Sequence, residues 1–431
     1  MDNNALFLYY FPIGSLAVGG AVFVLVYILL RPKRNLPPGP TAFPVIGTAL
    51  SFNPDDTPKG EALEGLQKRY GDIVTLQVLG QYTIILNSYD VIREAFVTRT
   101  MEYTNREIGK RFTRKYFNHT ESEIITRDFD DGARKLRGHC LTIFRNLGVG
   151  RAVMEGDIAH EAGCLADTLR AIGTQARDVS AYVNVAVSNV ILKILLDKRH
   201  AAGDSEQTAL NESTNQMMKA FRLLPLFDLA LVLRDFVTGG SEMTTTSLQW
   251  TLLLLANHPQ VQDKLYAALT ETVGSEREYK LDDKIPYLDA VVWEVQRYAS
   301  IIPTAVPHAV STSGDGTLAG YTIPKGSLVI PNLYGVHHSV ATWGDPHNFR
   351  PERFLDASGA FVKHAHVMPF SLGKRSCLGE LLARQELYIF TALLAHSFHF
   401  LPPEGAESID TTPDYGFSRI PKAFKIRAIP R

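Results

Sequence analysis

The sequence is poor in cysteine and in net charge. Its 431 residues include three cysteines, and the formal net charge is −1. Cys140, Cys164 and Cys377 are odd in number and far apart, which argues against a disulfide framework and favours a reducing, cytosolic environment. A net charge near zero gives no global field that would attract nucleic acid. Hydrophobic residues make up 45% of the chain, enough for one big domain or two smaller ones.

Charge is also missing from residues 6–30. This apolar run of about 25 residues is long enough to cross the hydrocarbon core of a bilayer as a helix. Arg31, Lys33 and Arg34 follow it, so the positive-inside rule places the rest of the chain in the cytosol. A cleaved signal peptide is the competing interpretation, but the run is too long and no basic segment precedes it. We therefore predict a transmembrane signal anchor over 6–30 and a basic, proline-rich hinge over 31–40.

Hydrophobic patterns predict the main secondary structure of the remaining chain, residues 41–431. Two β-branched segments at 71–78 and 82–86 indicate a hairpin. Apolar residues with helical spacing predict several amphipathic helices. These begin near Ala133, near Gly239, after the helix-breaking His258-Pro259, near Leu288 and at Leu378.

Residues 370–379 read Phe-Ser-Leu-Gly-Lys-Arg-Ser-Cys-Leu-Gly and lead into the last of these helices. A cysteine at that point faces free backbone N–H groups and the positive end of the helix dipole, which lower the pKa of its thiol and suit a metal ligand. Gly373 and Gly379 let the backbone approach a flat ligand, and Arg375 adds a fixed positive charge. The alternative is a buried cysteine that behaves as a small apolar residue.

The pattern Phe-x-x-Gly-x-Arg-x-Cys-x-Gly resembles the haem-binding loop of the cytochrome P450 superfamily. The resemblance implies a mainly α fold with a small β-rich lobe. It also implies haem b, iron protoporphyrin IX, with Cys377 as the axial ligand of the iron and Arg375 on a propionate. Phe370 would cover the sulfur side of the loop. In style the motifs are closest to animal microsomal enzymes of family 2.

Two further motifs stand in the family's order. Glu294 and Arg297 form a Glu-x-x-Arg pair, and Arg353 belongs to a later Pro-Glu-Arg-Phe. The resemblance implies that these three form an enclosed structural network that holds the Cys377 loop. Without it, the Glu294–Arg297 pair would be a surface salt bridge worth little.

The segment Gly239-Gly240-Ser241-Glu242-Met243-Thr244 resembles the helix on the distal face of the haem. There Gly240 would leave room for dioxygen and Glu242 would relay protons. The family normally has Thr after the acid, with a hydroxyl that assists O–O cleavage, which Met243 cannot do. Thr244 or a water molecule is the expected substitute. Outside the family context this segment would be interpreted as a loop.

Further propionate contacts are implied at Arg137 and His308. The family usually has Trp four residues before that arginine, where this chain has Ala133, so one contact is missing. Taken alone, Arg137 would more often be a solvated charge on a helix. The other histidines that resemble metal ligands by composition are interpreted as surface or hydrogen-bonding residues: His337, His338, His364 and His366.

The middle of the chain is shorter than the resemblance leads us to expect. Only about 100 positions separate Arg137 from Gly239, and helices of roughly 20 residues each cannot all fit there. We predict that helices between about 150 and 235 are partly deleted, with the join near residues 221–227 and a reduced lid over the substrate pocket. A real deletion, a splice variant and a faulty gene model remain open.

The activity implied by the resemblance is monooxygenation of an apolar fatty acid, steroid or xenobiotic. Electrons would come from NADPH through NADPH-cytochrome P450 reductase, with cytochrome b5 as a further candidate partner, at the endoplasmic reticulum membrane and with a cytosolic catalytic domain over 41–431. No nucleic-acid partner is expected. Two alternatives remain open: a haem-thiolate isomerase or dehydratase that needs no electron donor, motivated by Met243, and a non-catalytic truncated or splice product, motivated by the short middle.

Overall fold

The computed structural model describes residues 18–19, 22, 34–43, 47–48, 60–78, 80–106, 124–125, 127–200, 227–274, 277, 279–311 and 313–431. Most of the predicted anchor, 6–30, residues 201–226 of the shortened middle, and with them the predicted join at 221–227 apart from Phe227, lie outside these residues. Within the described part of the chain, no helix combines the length and the apolar character needed to span a bilayer.

Helices dominate the described residues. In chain order they are α1 (Gly60–Tyr70), α2 (Tyr89–Arg93), α3 (Asp131–Asn146), α4 (Ala152–Ile172), α5 (Ser180–Leu196), α6 (Phe227–Asn257), α7 (Pro259–Val273), α8 (Pro286–Ala299), α9 (Leu333–His337), α10 (Val340–Trp343) and α11 (Glu380–Ser397). Pro259 and Pro286 occupy first-turn positions of α7 and α8, where the missing N–H costs no hydrogen bond. The predicted break at His258-Pro259 is confirmed, because α6 ends at Asn257.

The strands are short and form four small sheets. They are β1 (Ile73–Val78), β2 (Gln81–Leu86), β3 (His308–Ala309), β4 (Gly316–Leu318), β5 (Tyr321–Ile323), β6 (Leu328–Pro331), β7 (Phe398–Leu401), β8 (Pro413–Tyr415), β9 (Arg419–Pro421) and β10 (Arg427–Pro430). The largest sheet has the order β1-β2-β6-β3, and the other three are the antiparallel pairs β4–β5, β8–β9 and β7–β10. The predicted hairpin is confirmed, with Ile73 paired to Leu86 in β1–β2.

The two largest of the four hydrophobic cores among the described residues are a helical core and a core in the β lobe. The larger core joins the apolar faces of α4, α5, α6, α7, α8 and α11, with the fully buried Trp250 and Phe390 among its members. The smaller core lies under the β lobe and includes Phe96 and Val329. This division confirms a mainly helical fold with a small β-rich lobe.

The proline-rich segment is attached to the β lobe. The side chain of Asn35 donates to the carbonyl of Gly320 at 2.9 Å, and the N–H of Thr75 donates to Pro38 at 2.8 Å. A Cβ on Gly39 would lie 2.0 Å from the Thr75 carbonyl oxygen, so only glycine permits this close approach. The segment following the predicted anchor is therefore fixed against β1.

Two predicted helix boundaries are wrong. Helix α11 begins at Glu380 rather than Leu378, with Gly379 at the N-cap position. Helix α6 begins at Phe227, so the Gly239-Gly240 pair lies inside it instead of opening it. An internal glycine costs roughly 1 kcal/mol relative to alanine. The long apolar helix, packed against α5 and α11, tolerates that cost.

Candidate active site

A cavity of about 400 Å³ lies where α6, α8 and α11 meet the loop before α11. Its wall is mostly apolar, with Phe144 and Ile191 on one side and Ala299, Ile302 and Leu382 on the other. Nearly all the site residues expected from the sequence also line it: Arg137, Gly240, Glu242, Thr244, His308, Phe370, Arg375, Cys377 and Gly379. Gly373 does not line the cavity.

Cys377 is held at the cavity wall by its own loop. Its N–H donates to the carbonyl of Phe370 at 2.9 Å, closing a turn around the short 3₁₀ segment Gly373–Arg375. The side chain is accessible from the cavity, although protein surrounds it in other directions. The expected lowering of the thiol pKa is wrong for the protein alone. Burial raises the pKa of Cys377, and the opposing effect of the Gly379 N–H is smaller.

The raised thiol pKa does not disfavour metal binding, since a bound metal ion deprotonates a coordinating thiol.

Phe370 lies next to this thiol in the loop and stacks against a cation. The guanidinium of Arg384 lies 4.9 Å from the centre of the Phe370 ring and also pairs with Glu380 at 3.0 Å. The ring is thereby fixed at the start of α11.

The two loop glycines have different surroundings. Gly373 has φ of +73°, and a Cβ there would lie 1.8 Å from the Phe96 carbonyl oxygen. It is needed for a close approach between two protein segments, not for an approach to a flat ligand as we expected. A Cβ on Gly379 would meet no protein atom within 4 Å, and Gly379 faces the cavity. Gly379 therefore leaves open space where a ligand would lie.

Three guanidinium groups converge on one side of the cavity. Arg137 donates to the carbonyl of Ser376, and Arg375 donates to Thr104 at 3.0 Å and to Arg127. The third is Arg106, which was not predicted from the sequence; it is 6% exposed and donates to the carbonyls of Val306 and Pro307 at 2.7 and 2.9 Å. Its only signal is a charged residue near an irregular, aromatic stretch.

These arginines carry positive charge that the protein compensates only in part. Burial, followed by repulsion from Arg375 and Arg137, lowers the pKa of Arg106 to about 9. Burial and Arg137 lower the pKa of Arg375 to about 10, and the carboxylates of Asp128 and Asp130 oppose this. The Nε of Arg106 is buried without a hydrogen-bond partner among the described residues. The cluster is thus complementary to a ligand with carboxylate groups.

His308 lies beside the arginine cluster and is neutral. Its Nδ1 is 2.6 Å from the carbonyl oxygen of Tyr103, so this nitrogen carries the proton. The ring stacks on Phe96 with centroids 3.9 Å apart. Burial and the charge of Arg106 hold the pKa of His308 well below its usual value. An anionic ligand nearby would oppose both effects.

Helix α6 presents Gly240, Glu242, Met243 and Thr244 to the cavity. A Cβ on Gly240 would lie 2.6 Å from the Cδ1 of Ile191 on α5, so this glycine also permits close helix packing. Glu242 is exposed. The thioether of Met243 holds no proton and cannot replace a hydroxyl.

Thr244 forms a contact that the sequence analysis missed. Its hydroxyl donates to Oε2 of Glu386 on α11 at 3.2 Å. Glu386 is 1% exposed, and burial raises the pKa of its carboxyl to about 8. A glutamate between apolar positions of α11, beside Leu382 and Leu387, is the sequence signal that could have identified it.

The expected ion-pair network is present and enclosed. Arg297 bonds Glu294 at 2.7 and 2.9 Å, and Arg353 bonds the same carboxylate at 3.1 Å. Arg297 also donates to the carbonyl of His337 at 2.7 Å, while Nε2 of His337 accepts from the N–H of Met368 at 3.0 Å. The network therefore reaches the segment that leads into the Cys377 loop.

The other histidines make hydrogen bonds and ring contacts. Burial lowers the pKa of His337 to about 3, in accord with its role as a neutral acceptor. His338 contacts the Tyr334 carbonyl, and His366 contacts Thr342. No group of three or more His, Cys, Asp or Glu side chains in the described part of the chain could hold a metal ion.

A haem fits this arrangement. The cavity joins a thiol, partly compensated guanidinium groups of which one has a donor without a partner, and open space beside Gly379, within largely apolar walls. Thiolate ligation of the iron and ion pairs to carboxylates are the contacts that such a prosthetic group requires.

Comparisons with known proteins agree with a haem site. The sequence model of the family described as Cytochrome P450 matches residues 37–234 and 223–428. Among curated proteins, the chain is similar to Cytochrome P450 2D3 of Rattus norvegicus (28% identity, 95% of this chain and 98% of that protein). It is also similar to Cytochrome P450 2D14 of Bos taurus (29%, 97% and 98%) and to Cytochrome P450 2C44 of Mus musculus (30%, 94% and 96%).

The alignments also contain many positions at which this chain has no residue. With the rat protein, 95% of 431 residues is about 409, so roughly 80 of the 492 aligned positions have no residue of this chain. The family match is divided in two at residues 223–234, next to the join expected from the sequence. Both segments carry the family pattern, and together they cover most of the chain. The chain therefore belongs to the cytochrome P450 family of haem-dependent monooxygenases.

Proposed function

We propose that this protein is a membrane-anchored haem b monooxygenase that inserts one oxygen atom of dioxygen into an apolar organic substrate, with electrons from NADPH delivered by a reductase. The observation that carries the proposal is the cavity in which the Cys377 thiol and the arginine cluster share an apolar enclosure. Apolar walls with few polar groups are typical of small-molecule sites.

The residues of this chain would hold the cofactor in defined ways. Cys377 would be the axial ligand of the iron, and Arg106, Arg137, Arg375 and His308 would bind the propionates. When bound, the haem would supply the activation of dioxygen. The absence of the usual Trp at Ala133 removes one propionate contact, and Arg106 offers a donor on the same side of the cavity.

The remaining cavity residues would bind the substrate and move protons. Ile191, Ile302 and Phe417 give the wall the apolar character that excludes water and favours a fatty acid, steroid or xenobiotic. Glu242 would relay protons from solvent. Gly240, between the small residues Gly239 and Ser241 of α6, would leave room for dioxygen.

The domain organisation is part of the proposal. Residues 6–30 would anchor the chain in the endoplasmic reticulum membrane, residues 31–40 would connect it to the globule, and residues 41–431 would form the cytosolic haem domain. The reductase, with cytochrome b5 as a further candidate, would bind there. The divided family match supports a deletion between about 150 and 235, which would shorten the lid over the cavity.

The first experiment is the carbon monoxide difference spectrum of the reduced, full-length protein beside Cys377→Ala. A red-shifted Soret band that the variant lacks would support thiolate-bound haem, and NADPH-dependent product formation with reductase would then support monooxygenation. The same spectrum in both samples would contradict the assignment of Cys377.

Two other functions have specific observations in their favour. Met243 favours an isomerase or dehydratase, which would convert an organic hydroperoxide without reductase or NADPH. The shortened middle favours a non-catalytic product, which would give no haem band or would bind haem without turnover. The same preparation therefore distinguishes all three.

A further inference from the structure

Glu386 is a carboxyl group in an unusual place. It lies on α11 among apolar side chains of the larger core, yet it lines the cavity. One carboxyl oxygen accepts from Thr244, and the other, Oε1, is buried without a partner among the described residues. Its burial disfavours the charged form, so the group holds a proton at neutral pH.

The other acidic groups of the cavity wall are placed differently. The carboxylate of Asp235 accepts from the backbone N–H of Ile124 at 3.2 Å. Glu242 is exposed and faces solvent as well as the cavity. Among the described residues of the wall, Glu386 is the carboxyl that is both buried and joined to a hydroxyl, the one on Thr244.

Thr244 is adjacent in sequence to Met243, where the sequence analysis expected a hydroxyl for proton delivery. Both residues line the cavity. A protonated carboxyl is itself an O–H donor, so the 3.2 Å contact between Oε2 and Oγ1 can pass a proton in either direction. A hydroxyl that accepts one proton and releases another passes a proton on, and the hydroxyl group is unchanged afterwards.

We infer that Glu386 stores a proton for the reaction and that Thr244 passes it to the cavity, replacing the hydroxyl that position 243 lacks. This inference rests on the proposed function. Monooxygenation forms one water molecule, which takes two electrons from NADPH and two protons. One proton would leave Glu386 for the Thr244 oxygen while the Thr244 hydroxyl proton leaves for the oxygen being reduced. Glu386 would then be a carboxylate and would regain a proton from solvent water after product leaves; Glu242 would deliver the second proton.

The first test needs no turnover. Infrared spectra of the full-length, ligand-free protein at pH 7 are recorded in H₂O and in D₂O and subtracted from each other. The difference should contain the carbonyl band of a protonated carboxyl. Glu386→Gln should remove this band, and Thr244→Ala should shift it. Thr244→Ser, which keeps the hydroxyl, should restore its position. Thr245→Ala is the matched control, because Thr245 is a buried neighbour on α6 that does not line the cavity.

The second test uses the haem-loaded protein with reductase. NADPH-driven reduction of dioxygen, which needs no added substrate, should be about 100-fold slower in Glu386→Gln and Thr244→Ala, because general acid catalysis contributes factors of this size. Thr245→Ala should stay within about twofold of the wild type, because Thr245 does not line the cavity.

Equal carbon monoxide difference spectra would establish that all variants retain the haem. The inference is overturned if the wild type has no protonated-carboxyl band, or if Glu386→Gln reduces dioxygen at the wild-type rate. A wild-type protein that accepts no electrons from the reductase would instead overturn the proposed function, and with it the role of Glu386 in the reaction. The infrared band would still report whether Glu386 holds a proton.

Discussion

The two walls of the cavity are built in different ways. The wall that carries Cys377 is held by a buried ion-pair network and by a glycine packed on a backbone carbonyl. The wall formed by α6 is held mainly by side-chain packing against α5 and α11, with the Thr244–Glu386 bond as a polar link. Backbone contacts and buried ions cannot adjust to a change, whereas the ends of flexible side chains can.

This difference has a functional meaning. An iron ligand must be held in one position, because small displacements change both ligation and reactivity. In the proposed function the opposite wall would admit dioxygen and an apolar substrate, and side-chain packing tolerates differences in shape. We therefore expect changes on the Cys377 wall to reduce stability most, and changes on the α6 wall to alter the reaction with little loss of stability.

Removing the buried carboxylate of the network should have the largest effect. Glu294→Gln leaves Arg297 and Arg353 buried beside a neutral amide, so we expect the free energy of unfolding to fall by about 4 kcal/mol. Chemical denaturation of the full chain measures this. Lys264→Met is the control, since it breaks an exposed ion pair with Glu352 (2.6 Å) that should contribute less than about 1 kcal/mol. Equal losses in the two variants would contradict a special role for the enclosed network.

Replacing Gly373 should come next. An alanine there would adopt a left-handed φ, and its Cβ would collide with the Phe96 carbonyl, so Gly373→Ala should destabilise the protein by about 3 kcal/mol. The Cβ of Gly379→Ala would lie in open space, so this substitution should lower the free energy of unfolding by less than about 1 kcal/mol. The second variant should instead weaken haem binding, because its methyl group would enter the cavity. Haem titration and thermal unfolding separate the two effects.

Much of the Cys377 wall could be predicted from the sequence because its constraints lie in short motifs. The loop around Cys377 and the trio of Glu294, Arg297 and Arg353 are spaced in fixed patterns that can be read directly. The structure brings the trio together within hydrogen-bonding distance. In such short motifs the spacing of the residues already indicates which side chains must meet.

The missed features depend on long-range contacts. Arg106 and Glu386 have only weak local signals, and the role of each depends on partners about 140 to 270 positions away in the chain, such as Arg375 and Thr244. The direction of the Cys377 pKa shift was wrong for a related reason. A sequence reveals the helix that follows the thiol, but not the protein that surrounds it and favours the neutral form.

The carboxyl that joins the two walls should make stability depend on pH. Burial raises the pKa of Glu386 from 4.5 to about 8. Below pH 4.5 both the folded and the unfolded chain hold its proton, so the folded state is not penalised. As pH rises from 4.5 to 8, only the unfolded chain releases the proton, and stability falls.

Glu386→Gln should remove this loss. We expect the variant to gain on the order of 2 kcal/mol over the wild type between pH 5 and pH 8, measured by denaturation at several pH values. Asp131→Asn is the control, because Asp131 is an exposed carboxylate at the start of α3. Parallel stability curves for Glu386→Gln and the wild type would contradict a proton held in the folded state.

The smallest effect should come from the glycine on the α6 wall. A Cβ on Gly240 would lie 2.6 Å from the Cδ1 of Ile191, which is the movable end of a flexible side chain. Alanine also gains up to about 1 kcal/mol of helix propensity over glycine, so Gly240→Ala should change the free energy of unfolding by less than about 1 kcal/mol. Its effect should appear in function instead, as weaker binding of bulky ligands measured by the shift of the haem absorption band. A loss of stability as large as that of Gly373→Ala would mean that the α6 wall is as rigid as the Cys377 wall.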